Sequence, residues 1–224
     1  MIPWVPLGTA SIPGGGELRL MRRGTEYSIM IGGTELMNSR LSGSEEALAT
    51  LAAERIGPRT GARVLIGGLG MGFTLRAALA SLSPDARVTV AELVPGVVDW
   101  ARAEMADVFG DSLSDPRVDI AVEDVADTIG RARGAYDAIL LDVDNGPDGL
   151  THSGNDRLYG PAGLAAALQA LTPGGVLGIW SQGPDPAFTT RLGRAGFQVD
   201  EMRVKAGRGR GAKHVLWFAA KAAR

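Results

Sequence analysis

Three carboxylates in this chain stand where apolar runs end: Glu92 after residues 87–91, Asp124 just past 118–122, and Asp142 after 136–141. From such positions a carboxylate can accept the two hydroxyls of a ribose, take the amino group of an adenine, or remove a proton from a nucleophile. Ahead of them lies Val64-Leu65-Ile66-Gly67-Gly68-Leu69-Gly70-Met71-Gly72, an apolar run that passes straight into a glycine cluster. Glycines there permit a tight turn and close approach of a ligand to the backbone, and the start of the next helix offers unpaired N–H groups. Counting from Gly68 the pattern is G-x-G-x-G, with Phe73 at the sixth position, so the dinucleotide fingerprint G-x-G-x-x-G is not met. The tighter spacing suits a nucleoside cofactor without a pyrophosphate. Plain structural roles stay open beside these: Asp124 can cap a helix beginning at Val125, and Glu92 can be a solvated loop residue ahead of Pro95.

The elements that must position these groups alternate in type. Strand-like runs fall at 63–68, 87–93, 118–122, 136–143 and 175–181, with helical periodicity at 74–81, 95–109, 125–131, 161–171 and 187–195. Such alternation predicts an α/β fold with a parallel sheet covered by helices on both faces. Runs at 197–204 and 214–220 flank a basic, glycine-rich stretch and predict a terminal hairpin. By fold analogy the whole is a Rossmann-like methyltransferase fold, a mostly parallel seven-stranded sheet closed by a C-terminal antiparallel hairpin. Ahead of it, 17–21 and 27–31 read as a short β-hairpin, and Ser42 or Ser44 opens a helix that stops near Gly57-Pro58.

Composition narrows the chemistry. The chain has 224 residues, 45% of them apolar, enough for a substantial core. It contains no cysteine, which excludes disulfides, thiolate metal sites and a cysteine nucleophile. A net charge of −2 offers no general attraction to nucleic acid or an anionic membrane, and the short basic stretch at 203–213 lacks aromatic residues. No segment has the ~18 uninterrupted apolar residues of a membrane span, and a cytoplasmic protein is expected. Asp142, Asp144 and Asn145 could hold a divalent ion, but no further carboxylate is fixed by the pattern, and no metal is expected. The stretch 145–159 is polar, rich in glycine and long for a strand-to-helix connection, which fits a substrate wall or lid.

Together these features resemble the spermidine synthase family over about residues 15–220. The resemblance implies a small N-terminal β region, residues 1–41, followed by an S-adenosyl-binding Rossmann-like catalytic domain, residues 42–224. It also implies that Gly68, Gly70, Gly72, Glu92, Leu93, Glu123, Asp124 and Asp142 bind the cofactor, and that Gln182 matches the glutamine after the family's fifth strand. Departures accompany the matches. The family's loop aspartate is Met71 here, its second diamine-facing carboxylate is Asn145 with Asp144 one place early, and its Tyr-His pair is missing from residues 44–55. A cationic diamine needs carboxylates to hold it, and an Asp→Asn change removes a full charge.

The expectation from these departures is an S-adenosylmethionine-dependent methyltransferase acting on a nitrogen or oxygen of a small polar acceptor. Asp142 and Asp144 would be the catalytic pair, with Asn145, His152, Tyr159 and Gln182 contacting the substrate. The alternative is an aminopropyltransferase that uses decarboxylated S-adenosylmethionine; a second is a non-catalytic nucleoside-binding protein. A homodimer through the N-terminal hairpin is a further expectation, because an exposed strand edge is a pairing surface.

Overall fold

A computed structural model describes residues 2–143, 155–207 and 212–223, without the side chains of 155 and 156. Asp144, Asn145 and His152 lie outside the described residues. The chain opens with four strands, β1 (Val5–Ser11), β2 (Glu17–Arg23), β3 (Glu26–Ile31) and β4 (Thr34–Asn38), paired in that order as an antiparallel sheet. The expected hairpin is its β2–β3 centre. Strands β1 and β4 escape the alternation test because Val5–Ser11 carries Pro6 and Gly8, and Thr34–Asn38 has only five residues.

Next come α1 (Gly43–Ile56), β5 (Arg63–Gly67), α2 (Phe73–Ser81), β6 (Arg87–Glu92) and α3 (Pro95–Arg102). They are followed by α4 (Ala106–Phe109), a 3-10 turn (Gly110–Ser114), β7 (Val118–Val122), α5 (Val125–Arg131) and β8 (Tyr136–Leu141). The last third holds α6 (Asn155–Tyr159), α7 (Pro161–Ala170), β9 (Leu171–Ser181), α8 (Pro186–Arg194), β10 (Gln198–Lys205) and β11 (Lys213–Ala220). Where the sequence predicts one helix over 95–109, the structure breaks it after Arg102, and Met105 N–H turns back to the Trp100 carbonyl at 2.8 Å.

The large sheet runs β10-β11-β9-β8-β5-β6-β7; β5 through β9 are parallel, and β10 and β11 antiparallel, the seven-stranded arrangement expected. Its register follows from period-two alternation: Val64 and Ile66 enter the core on one face, Leu65 the core on the other. Ala138 and Leu140 split from Ile139 and Leu141 in the same way. Leu18, Leu20, Tyr27 and Ile29 of the small sheet join the first of these cores, so one apolar cluster spans both sheets. No described helix is long and apolar enough to cross a membrane.

Candidate active site

Parallel pairing of β5 with β8 aligns Gly67 with Leu141, and the amide of Asp142 donates to the Gly67 carbonyl at 3.0 Å. The glycine loop and Asp142 therefore emerge side by side at the carboxyl edge of the sheet, where open α/β sheets bind ligands. Gly68 has φ +86°, and a Cβ there would stand 2.5 Å from the Asp142 carbonyl oxygen. At Gly72 (φ +72°) a Cβ would fall 2.3 Å from the Phe109 ring. Both glycines are thus demanded by the protein's own packing as well as by backbone conformation.

The carboxyl edge opens into a cleft whose walls come from both sheets. Gly70, Met71, Gly72 and Phe73 form one wall, Leu36, Met37 and Asn38 from β4 another, and Trp180 from β9 a third. The small sheet thus completes the site: the Met37 sulfur lies 3.1 Å from where a Cβ on Gly70 would be.

Among the described residues, two acids face this space, Asp142 and Glu45. The Thr74 hydroxyl, from the first turn of α2, donates to Asp142 Oδ2 at 2.7 Å and fixes its orientation. Burial pushes the Asp142 carboxyl up to about 6 against the Thr74 hydrogen bond. Glu45 rises to about 7, through burial first and the neighbouring Asp142 charge second. Like charges in a partly desolvated cleft disfavour a second ionisation, so near neutral pH the two carboxyls together hold close to one proton. Glu45 is the site residue that sequence reasoning missed. It stands in the first turn of α1, where an acid also complements the helix dipole, and that local role carries no hint of a cleft.

Among the expected cofactor residues, Gly70, Gly72 and Asp142 line the cleft. Glu92 sits behind the loop with 7% of its surface exposed, where Oε2 accepts the Leu69 amide at 2.8 Å and Oε1 the Val94 amide at 2.9 Å. Burial raises its pKa, opposed by those amides. Leu93 packs against the first core. Asp124 caps α5, with Oδ1 accepting the Ala126 amide at 2.8 Å, and pairs through Oδ2 with Arg157 at 2.9 Å. Glu123 accepts the Thr128 hydroxyl at 2.7 Å and pairs with Arg131; the Thr128 bond first, then Arg131, lowers its pKa. Tyr159 lies away from the cleft, 1% exposed, in edge contact with Phe188 at 5.6 Å. Its position follows from the short α6, which turns it into the second core. Gln182 is exposed just beyond β9 and is not part of the cleft lining.

No known family model matches the chain. Over 128 residues, 55% of its length, the chain is 34% identical to a polyamine aminopropyltransferase of Mycobacterium tuberculosis (strain H37Rv). Over 98 residues, 44% of its length, it is 35% identical to that of Nitrosomonas europaea. These matches span 24% and 29% of the two relatives, about a quarter of their length. In fold it superposes on spermidine synthase from Thermotoga maritima with a TM-score of 0.76 at 16% identity, covering 98% of this chain and 73% of that one. The same figures hold for a spermidine synthase in complex with the transition-state analogue AdoDATO.

These relatives and neighbours overturn the expectation of methyl transfer to a small polar acceptor. That expectation rested on departures that included a lost carboxylate at Asn145, whereas Glu45, within the stretch that lacks the family's Tyr-His pair, faces the cleft together with Asp142. The chain is thus similar to polyamine aminopropyltransferases over 55% of its sequence, and its fold is like that of spermidine synthase over nearly all of its length.

Proposed function

We propose that this protein is an aminopropyltransferase, which passes the aminopropyl group of decarboxylated S-adenosylmethionine to an amine acceptor. The observation that carries the reading is the charge of the cleft: Asp142 and Glu45 face it, and no arginine or lysine is among its described lining residues. The decarboxylated donor combines a sulfonium with an ammonium and bears no carboxylate, so it suits an acidic cleft walled by Met37, Met71, Phe73 and Trp180. Intact S-adenosylmethionine would bring in a carboxylate with no cation among the described lining residues to meet it.

The donor supplies an alkyl carbon activated by a positive sulfur; the protein's work is binding, orientation and proton handling. Loop 68–72 and the side chains of Met37 and Trp180 would hold the adenosyl portion. Glu92, buried behind that loop, braces it through the Leu69 amide. Asp142, oriented by Thr74, serves as the proton acceptor that frees the lone pair of the incoming amine. Its pKa near 6 keeps it largely ionised, yet a competent base, at neutral pH.

Calorimetric titration with the decarboxylated and intact forms tests the reading. A third carboxylate ~6 Å from either acid costs about 3 kcal/mol at an effective dielectric of about 20. The decarboxylated form should therefore bind about a hundredfold more tightly. Incubation with a linear diamine should then release the thioether nucleoside in step with diamine consumed. Equal or tighter binding of the intact form, or no binding of either, refutes the proposal.

A further inference from the structure

Ser44 is fully buried and stands at a three-way junction. Its Oγ contacts Glu45 Oε2 at 2.6 Å, His214 Nδ1 at 2.8 Å and the Trp180 indole N–H at 3.0 Å. A hydroxyl has one proton and two acceptor lone pairs. The indole can only donate, so it occupies one lone pair, and the remaining lone pair and the proton must be divided between Glu45 and His214. Two arrangements satisfy all three contacts. With Glu45 ionised, Ser44 donates to Glu45 and His214 Nδ1–H donates to Ser44. With Glu45 protonated, Glu45 donates to Ser44, Ser44 donates to Nδ1, and the imidazole carries its hydrogen on Nε2. Passage between them moves a proton from the cleft acid to the ring of His214, itself partly exposed at the start of the otherwise mostly buried β11.

We propose that Glu45, Ser44 and His214 form a proton relay through which the proton shed by the acceptor amine leaves the cleft. The inference rests on the amine-alkylating reading above. As the acceptor nitrogen bonds to the donor carbon, the carbon–sulfur pair returns to sulfur and the nitrogen loses one proton to the Asp142–Glu45 pair. Glu45 passes a proton to Ser44 Oγ, Ser44 passes its own to His214 Nδ1, and His214 gives its Nε2 proton to water, so charge and atoms balance. The cleft is thereby reset without opening to solvent on the substrate side.

The ring is held for this purpose. Trp180 packs edge-on against His214 with centroids 4.6 Å apart, and burial lowers the histidine pKa, so the ring stays neutral and free to exchange tautomers at neutral pH. Among the described residues, the charged groups that act on Glu45 are Asp142 from the cleft and Glu46 from α1. Next to His214, the register pairs Lys213 with Lys205 and His214 itself with Val204 of β10.

Nitrogen NMR of the ¹⁵N-histidine-labelled full chain, without ligand, tests the relay. His214 resonances are identified by their loss in His214→Gln. Between pH 5.5 and 9 the wild-type ring should switch from the Nδ1–H to the Nε2–H form as Glu45 takes up a proton near pH 7. Ser44→Ala and Glu45→Gln should each abolish the switch. A single tautomer throughout in the wild type, or a switch that survives Ser44→Ala, overturns the relay. In turnover with a diamine, Ser44→Ala and His214→Gln should lower kcat by about tenfold or more, with KM little changed. Tautomer coupling without aminopropyl transfer overturns the transfer reading alone; transfer without coupling overturns the relay alone.

Discussion

Replacing Asp142 with asparagine keeps the shape of the side chain and an acceptor for Thr74, but removes a carboxyl that the fold holds near pKa 6 instead of 3.8. The folded state binds that proton more tightly than the unfolded chain, so the wild type loses stability as pH rises from about 4 and carries the full deficit above the folded pKa. A shift of about two pKa units at 1.36 kcal/mol each amounts to about 3 kcal/mol at pH 8, and to about 1.5 kcal/mol at pH 5, where the folded state is still mostly protonated. These are ceilings, because Asp142 keeps part of its surface at the cleft. The asparagine variant should therefore be more stable than the wild type, by up to about 3 kcal/mol at pH 8 and about half that at pH 5. In a chain of this size the larger figure corresponds to about 6 to 12 °C in Tm. Urea unfolding at both pH values measures the difference through the midpoint at unchanged m. Relief of the repulsion felt by Glu45 adds to the gain, while aminopropyl transfer should be lost, a trade of stability for function. A variant less stable at pH 8, or one whose advantage does not grow with pH, would refute the picture of a desolvated acid pair.

The same geometry sets further outcomes. At pH 8 to 9, where both described cleft acids are ionised, Glu45→Gln should weaken binding of the decarboxylated donor by about ten- to a hundredfold, and by much less at pH 6, where Glu45 is mostly protonated; calorimetry at the two pH values reads this directly. Gly72→Ala combines left-handed strain of about 1 to 2 kcal/mol with overpacking of about 1 to 3 kcal/mol against Phe109, so thermal unfolding should show a marked loss. Asp124→Ala should cost about 1 kcal/mol of stability through the lost cap, whereas Asp124→Asn, an equally good cap, should stay within about 0.5 kcal/mol; donor titration of the asparagine variant then tells whether the charge also serves binding.

Strand-like runs at 63–68, 87–93, 118–122, 136–143 and 175–181, separated by helical periodicity, were enough to write down the parallel sheet, and the runs at 197–204 and 214–220 its closing hairpin. Backbone hydrogen bonding and burial of one face act over a few residues, and their trace is local. The same locality made the glycine loop, Asp124 as a cap and Asp142 at a strand end legible. It could not show that Glu92 would accept the Leu69 amide of the glycine loop and the Val94 amide, or that Tyr159 would turn into the core. Nor could it show that β4 would close the cleft with Met37, or that the first turn of α1 would aim Glu45 at Asp142 and bring Ser44 to His214, 170 positions away. Those meetings depend on how α1 and the small sheet dock against the large one. They are decided by the shared apolar core, whose packing forces bear no fixed relation to distance along the chain.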